Sequence, residues 1–431
     1  MKPKPTDQPT ASRRGFLTAA CGLAAAVGAD SALRAADVVA STQGASAARS
    51  GSEPFWGEHQ GGILTPAQSH TYFAAFDLAA SKRDEVMGML RDWTSAAARM
   101  SSGQPVEAHD QDAAAPAPDS GETAGLPPAR LTLTFGFGSG LFVKDGQDRY
   151  GLASRRPAAL IDLPTFNGDQ LVPAQTGGDL SIQACAEDPQ VAFHAVRQLA
   201  RLAYGTAQIR WTQIGFLPKY APHETPRNLM GFKDGTDNPS IADPNAMDKF
   251  VWVGNEGPAW MRGGSYLVVR RIRMALEHWD RMKLEFQEQT IGRRKYSGAP
   301  LTGKDEFDPL DLEAADKDGN SVIPDNAHVR LAAAASNDGA QILRRPYSYN
   351  DGVNFTSERW PPWRQGMEYD AGLFLVCYQR DPRTGFVKIF DNLSKLDMLN
   401  QFVTHVGGGM FACPRGAAPG EFIGERLFRT A

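Results

Sequence analysis

Asp234 stands between two glycines in Gly231-Phe232-Lys233-Asp234-Gly235-Thr236-Asp237-Asn238-Pro239. Flanking glycines let a backbone approach a ligand closely, and a carboxylate held there can project into a pocket. Asp-Gly and Asn-Pro are equally the chemistry of a plain turn, and the segment alone leaves both readings open. A calcium loop fits less well, because alternating acidic ligands are absent. His328 lies in Pro324-Asp325-Asn326-Ala327-His328-Val329-Arg330-Leu331-Ala332. Pro and Asp open a short helix there, with Asp325 or Asn326 as its cap. A histidine on that first turn can bind a metal through one nitrogen while the other donates to a carboxylate. Arg344 begins the apolar strand Leu343–Tyr349, where a guanidinium aimed into an apolar pocket would stabilise a developing anion. Arg345 beside it reads as solvated or paired with surface acids. The other histidines are 59, 70, 109, 194, 223, 278 and 405. Of these, His194 reads as a packing or surface residue of an amphipathic helix.

The elements that must position these residues follow from hydrophobic periodicity. Strands are expected at 69–78, 130–137, 180–184 and 209–216, with helices at 84–100 and 189–204. That order is β-α-β-β-α-β. It recurs as a strand at 264–272, a helix at 277–290, strands at 343–349 and 373–379, a helix at 396–406 and a strand at 409–413. Two such units make an α+β protein of two ferredoxin-like domains with antiparallel sheets. The domains are expected at 55–220 and 221–431. Residues 292–341 form a long insertion in the second, the kind that carries function. A small, polar patch from Ser101 to Pro128 reads as a surface loop.

The chain has 431 residues and a formal charge of −4. Ser12-Arg13-Arg14-Gly15-Phe16-Leu17 precedes a mild apolar run to Val27, and the first charge after Arg14 is Asp30. This is the layout of a twin-arginine export signal, and the run is too short for a bilayer span of ~20 apolar residues. The signal spans 1–36, with cleavage expected between 36 and 47 and a linker at 37–54. Residues 1–36 carry a net +3, so the rest of the chain stands at −7, the difference between −4 and +3. Such a chain is a poor nucleic-acid or anionic-membrane binder. Cys185, Cys377 and Cys413 form no CxxC pair and indicate neither a disulfide framework nor a thiolate metal site. Zinc-hydrolase motifs, a nucleophile elbow, a P-loop and a dinucleotide fingerprint are missing.

Taken in order, these segments resemble the dye-decolourising peroxidases, and among them the exported bacterial EfeB-like (deferrochelatase/peroxidase) subgroup associated with iron uptake. The likeness runs from His59 to the C-terminus. It rests on the opening His59-Gln60-Gly61-Gly62-Ile63-Leu64-Thr65-Pro66, on Gly231–Gly235 as a GxxDG motif, and on Asn326–Leu331 around a proximal histidine. Leu343-Arg344-Arg345 and Gly372–Tyr378 match the distal strands. The resemblance implies one haem b per subunit in the C-terminal domain. It implies His328 as the proximal iron ligand, Asp234 as the distal acid–base residue and Arg344 as the distal arginine. Phe232, Gly235 and Thr236 would border the haem, and Leu373 and Leu375 would wall the distal pocket, where the family often has a phenylalanine. Arg330 would meet a propionate, and Asp397 would accept from the proximal imidazole. Trp360, Trp363, Tyr347 and Tyr349 are candidate electron relays, although packing explains each of them too. The implied activity is oxidation of dyes, phenols or iron(II) by hydrogen peroxide in the periplasm, linked to iron uptake. The alternatives are release of iron from haem with the porphyrin intact, periplasmic haem handling, or a haem-free binding protein. Implied partners are the reducing substrate, the Tat translocase, iron-permease components and a second copy of the chain; nucleic acid is not among them.

Overall fold

The computed structural model describes residues 51–107, 113–221, 224–357 and 365–429. The twin-arginine segment, Trp360 and Trp363 lie outside them. Nine strands are present among the described residues: β1 His70–Leu78, β2 Thr132–Phe137, β3 Leu180–Ala186, β4 Ala207–Phe216, β5 Ser265–Met274, β6 Leu343–Arg344, β7 Tyr347–Ser357, β8 Gln365–Gln379 and β9 Val403–Cys413. In the N-terminal half they pair antiparallel in the order β2-β3-β1-β4. In the C-terminal half the order is β9-β5-β8-β7, with β6 also on β8. Both sets place the first and third strands at the centre, as a ferredoxin-like unit does. The halves join edge to edge at Phe137↔Ala412 and Phe216↔Ser348, closing the strands into a ring. The described residues from 51 onward belong to one compact unit.

The inside of the ring is filled by alternate residues of both halves, including Phe73, Trp211, Leu267, Phe374, Val376 and Phe411. Phe73 alone meets the rings of Trp211, Phe374 and Phe411 at 4.9–5.9 Å. Helices cover the outer face. In the N-terminal half, α1 (Arg83–Ser101) turns Val86, Met89, Leu90, Trp93 and Ala97 onto the sheet. Helix α2 (Pro189–Leu202) starts cleanly, because Pro189 opens its first turn and the Asp188 carboxylate accepts from Gln190 N and Val191 N.

The C-terminal half departs from the sequence reading in three places. The expected helix at 277–290 is broken into Leu276–Trp279 and α3 (Leu284–Ile291), which ends on the left-handed Gly292. The strand expected at 343–349 is interrupted between Arg344 and Tyr347, at Pro346, which has no N–H to give to a ladder. The helix expected at 396–406 is absent. Its real counterpart is α5 (Phe386–Leu396), which buries Phe386, Ile389 and Phe390. Residues 398–401 form only a 3-10 turn, and β9 starts at Val403. Asp397 causes the break: its side chain accepts from Leu399 N and starts the new turn. A further short helix, α4 (His328–Ala332), lies within the insertion. Its cap position is Ala327, with no side-chain cap bond, so Asp325 and Asn326 do not cap it. No helix among the described residues is long and apolar enough to cross a membrane.

Candidate active site

A cleft of about 240 Å³ opens between the C-terminal sheet and its helices. Its sheet side carries Ile272, Met274, Leu373 and Leu375; its helical side carries Ile389, Phe390 and Leu393. Most of the lining is aliphatic or aromatic, and Asp234, Arg293, His328, Arg344, Asp397 and His405 are among its polar groups. That is the usual character of a small-molecule site.

His328 projects into this cleft from the first turn of α4. Its Nδ1 lies 2.6 Å from Asp397 Oδ2. Asp397 is itself fixed, because Oδ1 accepts from Leu399 N at 2.8 Å and the residue is buried. A carboxylate at that distance makes Nδ1 the protonated nitrogen and leaves the Nε2 lone pair for the cleft. Burial pushes the imidazole pKa down, but Asp397 outweighs it, and the net shift is upward.

Asp234 is presented by a tight turn. Gly231 has φ +85° and Gly235 φ +132°, backbone regions that favour glycine. A side chain at 231 would also strike Lys295, 2.8 Å from the would-be Cβ. The turn is closed by Asn228 N to Phe232 O and Asp234 N to Pro226 O. Thus the segment is a turn and a site at once. Arg344 comes from β6 and donates from Nη1 to Asp234 Oδ1 at 3.0 Å. Asn238, four residues past Asp234, holds the Arg344 backbone reciprocally: Oδ1 accepts from Arg344 N at 2.9 Å and Nδ2 donates to Arg344 O at 3.0 Å. Both Asp234 and Arg344 are close enough to act electrostatically on His328, in opposite directions.

Phe232, Gly235, Thr236, Leu373, Leu375 and Asp397 also line the cleft. Thr236 Oγ1 donates to Glu306 Oε1 at 3.0 Å, and Lys233 pairs with the same carboxylate, tying the turn to the insertion. Arg330 is not among the lining residues. Its guanidinium donates to the carbonyls of Ile323 and Leu312, which fold back over α4. Arg293 is the cation the sequence reading missed. It lines the cleft, is only 7% exposed, and donates through Nη1 to Gly298 O and Glu306 O. It makes no ion pair among the described residues. Its neighbours Arg294 and Lys295 make it look like part of a solvated basic run, and only the loop carbonyls reveal its direction.

Three further readings change. Arg345 is buried, not solvated, and reaches the Thr65 carbonyl and Gln68 Oε1 of the other half. Tyr347 and Tyr349 are completely buried, so neither is a surface aromatic. Tyr349 instead lies under the Arg271 guanidinium, 4.4 Å from the ring centre.

The cleft offers an apolar body, an imidazole whose Nε2 is free to bind a metal and a buried arginine that suits an anionic group. Haem suits all three, and a neutral imidazole is an ordinary axial ligand for it. Fold and cleft together suit a haem-binding protein. Comparison with known proteins gives the family. Residues 60–217 match the model of the Dyp-type peroxidase N-terminal domain, and residues 225–418 match that of the C-terminal domain. A dye-decolorizing peroxidase of Thermobifida fusca is 38% identical over 450 residues, covering 98% of each chain. The deferrochelatase of Escherichia coli K12 is 36% identical over 393 residues, covering 89% of each. Ferric DtpA from Streptomyces lividans superposes with a TM-score of 0.76 at 43% identity, covering 88% of this chain and 97% of that one. The chain belongs to the Dyp-type peroxidase family. It is a haem peroxidase, and hydrogen peroxide and a reducing substrate are what it acts on.

Proposed function

We propose that Asp234 moves the peroxide proton, that Arg344 stabilises the charge this creates, and that His328 binds the haem iron through Nε2. One observation carries the reading: the Asp234–Arg344 pair, 3.0 Å apart, borders the same cleft as an imidazole whose other nitrogen is held by Asp397. Haem, when bound, supplies the iron and the redox equivalents. The chain's own residues do the rest. Peroxide must lose a proton from one oxygen and gain one on the other before the O–O bond opens. The Asp234 carboxylate can accept the first and return it to the second. Arg344 offers a fixed positive charge to the peroxide oxygens as negative charge builds on them. Asp397 keeps His328 in one tautomer and raises its basicity as a ligand. Arg293 would face a haem carboxylate, the role the sequence assigned to Arg330. Leu373 and Leu375 keep the cleft apolar near Arg344. In an Asp234→Asn variant, peroxide turnover should fall while haem binding, followed by the Soret band, persists. Full turnover in that variant would remove Asp234 from the mechanism.

The reductants proposed are dyes, phenols and iron(II). The twin-arginine sequence supports export of the folded chain to the periplasm by the Tat translocase, with haem already bound. An Arg13→Lys, Arg14→Lys variant should then accumulate in the cytoplasm as holoprotein. Association into homo-oligomers and cooperation with iron-permease components belong to the same reading. A second reading, release of iron from haem with the porphyrin intact, is favoured by the 36% identity to the Escherichia coli deferrochelatase. Product analysis separates them: oxidised reductant with intact haem, or free iron with metal-free porphyrin.

A further inference from the structure

The patch that reads as a surface loop brings two carboxylates to a buried histidine on α2. We propose that His194, Asp119 and Glu122 form a binding site for a divalent transition-metal ion, with Zn²⁺ as its natural occupant, in the N-terminal half and apart from the haem cleft.

His194 is 3% exposed. Its Nδ1 lies 3.3 Å from Glu122 Oε2 and its Nε2 3.6 Å from Asp119 Oδ2. Neither contact is a hydrogen bond, and Nδ1 is buried without a partner. A neutral imidazole has one N–H and one ring-nitrogen lone pair, so that lone pair must face a carboxylate. Leaving a buried polar nitrogen in that state is costly. A cation between the groups removes the conflict. One ligand atom from each of the three residues lies within 4.8 Å of the others. In a tetrahedral shell with bonds of ~2.0–2.1 Å, neighbouring ligand atoms sit about 3.3–3.4 Å apart. The Nδ1 to Oε2 separation already has that value.

The carboxylates are oriented from behind, as metal ligands are. Asp119 accepts from Gly121 N at 2.8 Å and from Val106 N at 2.9 Å. Glu122 accepts from Arg197 Nη1 at 3.1 Å and from the Ser120 hydroxyl. The two carboxylates together carry the −2 that a divalent ion neutralises, and Arg197 is a half-exposed partner of Glu122. A nitrogen and two carboxylates suit Zn²⁺ better than the all-oxygen shells of Ca²⁺ or Mg²⁺. Asp119 and His194 also line a neighbouring cavity of about 310 Å³, from which water can complete the shell. Bound there, the ion would fasten the Ala-Pro-rich segment to α2.

The test uses haem-loaded protein stripped with a chelator, so that the haem cleft is closed to added metal. Zn²⁺ titrated by calorimetry should occupy one site, and the melting temperature should rise with Zn²⁺ concentration as a ligand of the folded state requires. His194→Gln should weaken Zn²⁺ binding by at least ~100-fold, a loss expected for a direct ligand since outer-shell partners alone cost 10–100-fold, with the Soret band unchanged. The variant Asp119→Asn, Glu122→Gln keeps the imidazole and should lose binding equally, which covers failure of the first variant to fold. Wild-type protein that binds no Zn²⁺ and melts identically with chelator would overturn the proposal. Undiminished binding in either variant would overturn it too.

Discussion

The two halves share one strand order but treat the space between sheet and helices in opposite ways. In the N-terminal half, Phe76, Leu90, Trp93, Ile182, Val196 and Leu199 fill it and none is more than 2% exposed. In the C-terminal half, the equivalent face carries Ile272, Leu373 and Leu375, and these border an open cleft. Two changes of sequence produce the difference. The helix after β5 is broken, and the insertion that follows delivers His328 on a short helix of its own. The helix that should pack closest, α5, contributes Ile389 and Phe390 as a wall. One half is thus a folded core, and the other is the same core with its centre left open.

Substitutions should separate the halves, beginning with chemistry. Asp234→Asn should lower peroxide turnover by ~10²–10⁴-fold, the range for an acid–base group, and Arg344→Leu by ~10²–10³-fold. Neither should change the melting temperature of haem-free protein by more than a few degrees. The reverse holds for the N-terminal half. Trp93→Ala should cost about 3–5 kcal/mol of stability, read by denaturant unfolding, with turnover per bound haem intact. Leu375→Ala, at a wall that already faces open space, should cost the haem-free protein less than about 2 kcal/mol, the bottom of the range for a filled core. Equal costs at the two positions would erase the contrast. Asp397→Ala should weaken haem retention or activity by ~10–100-fold.

The smallest effect concerns the tie between the Asp234 turn and the insertion. Burial tends to raise the Glu306 pKa, but Lys233 and the hydroxyls of Thr225 and Thr236 outweigh it, and the carboxyl is held below its ordinary value. A depressed carboxylate contributes stability above its unfolded pKa and loses it as pH falls through the folded one. Wild-type protein should therefore exceed Glu306→Gln in stability by ~1 kcal/mol at neutral pH. The gap should close on acidification below the usual carboxylate range. A gap that widened in acid would contradict the sign.

Much of this was legible because local chemistry and tertiary role agreed. Glycines flanking Asp234 meant a turn, and the turn presents the carboxylate. Alternation gave β1 to β4, and Pro189 after Asp188 gave the start of α2. Legibility failed where a residue's partner was distant. Leu396, Leu399, Phe402, Val403 and Val406 repeat with helical spacing, yet Asp397 is engaged by His328, 69 residues away, and ends α5 there. Arg330 looked placed for haem by its closeness to His328 in sequence, but Ile323 and Leu312 take its donors. Arg293 carried no signal, because its direction is set by carbonyls of the insertion. His194 looked like ordinary packing, since Asp119 and Glu122 belong to a low-complexity stretch.

The central claim is that the C-terminal cleft holds haem by the Nε2 of His328. It is tested most directly by electron paramagnetic resonance of the ferric protein, comparing wild type with His328→Ala reconstituted with haem. The wild type should show an axial nitrogen ligand, and the variant should lose that signature and recover it with added imidazole. An unchanged axial nitrogen signature in His328→Ala would contradict the account.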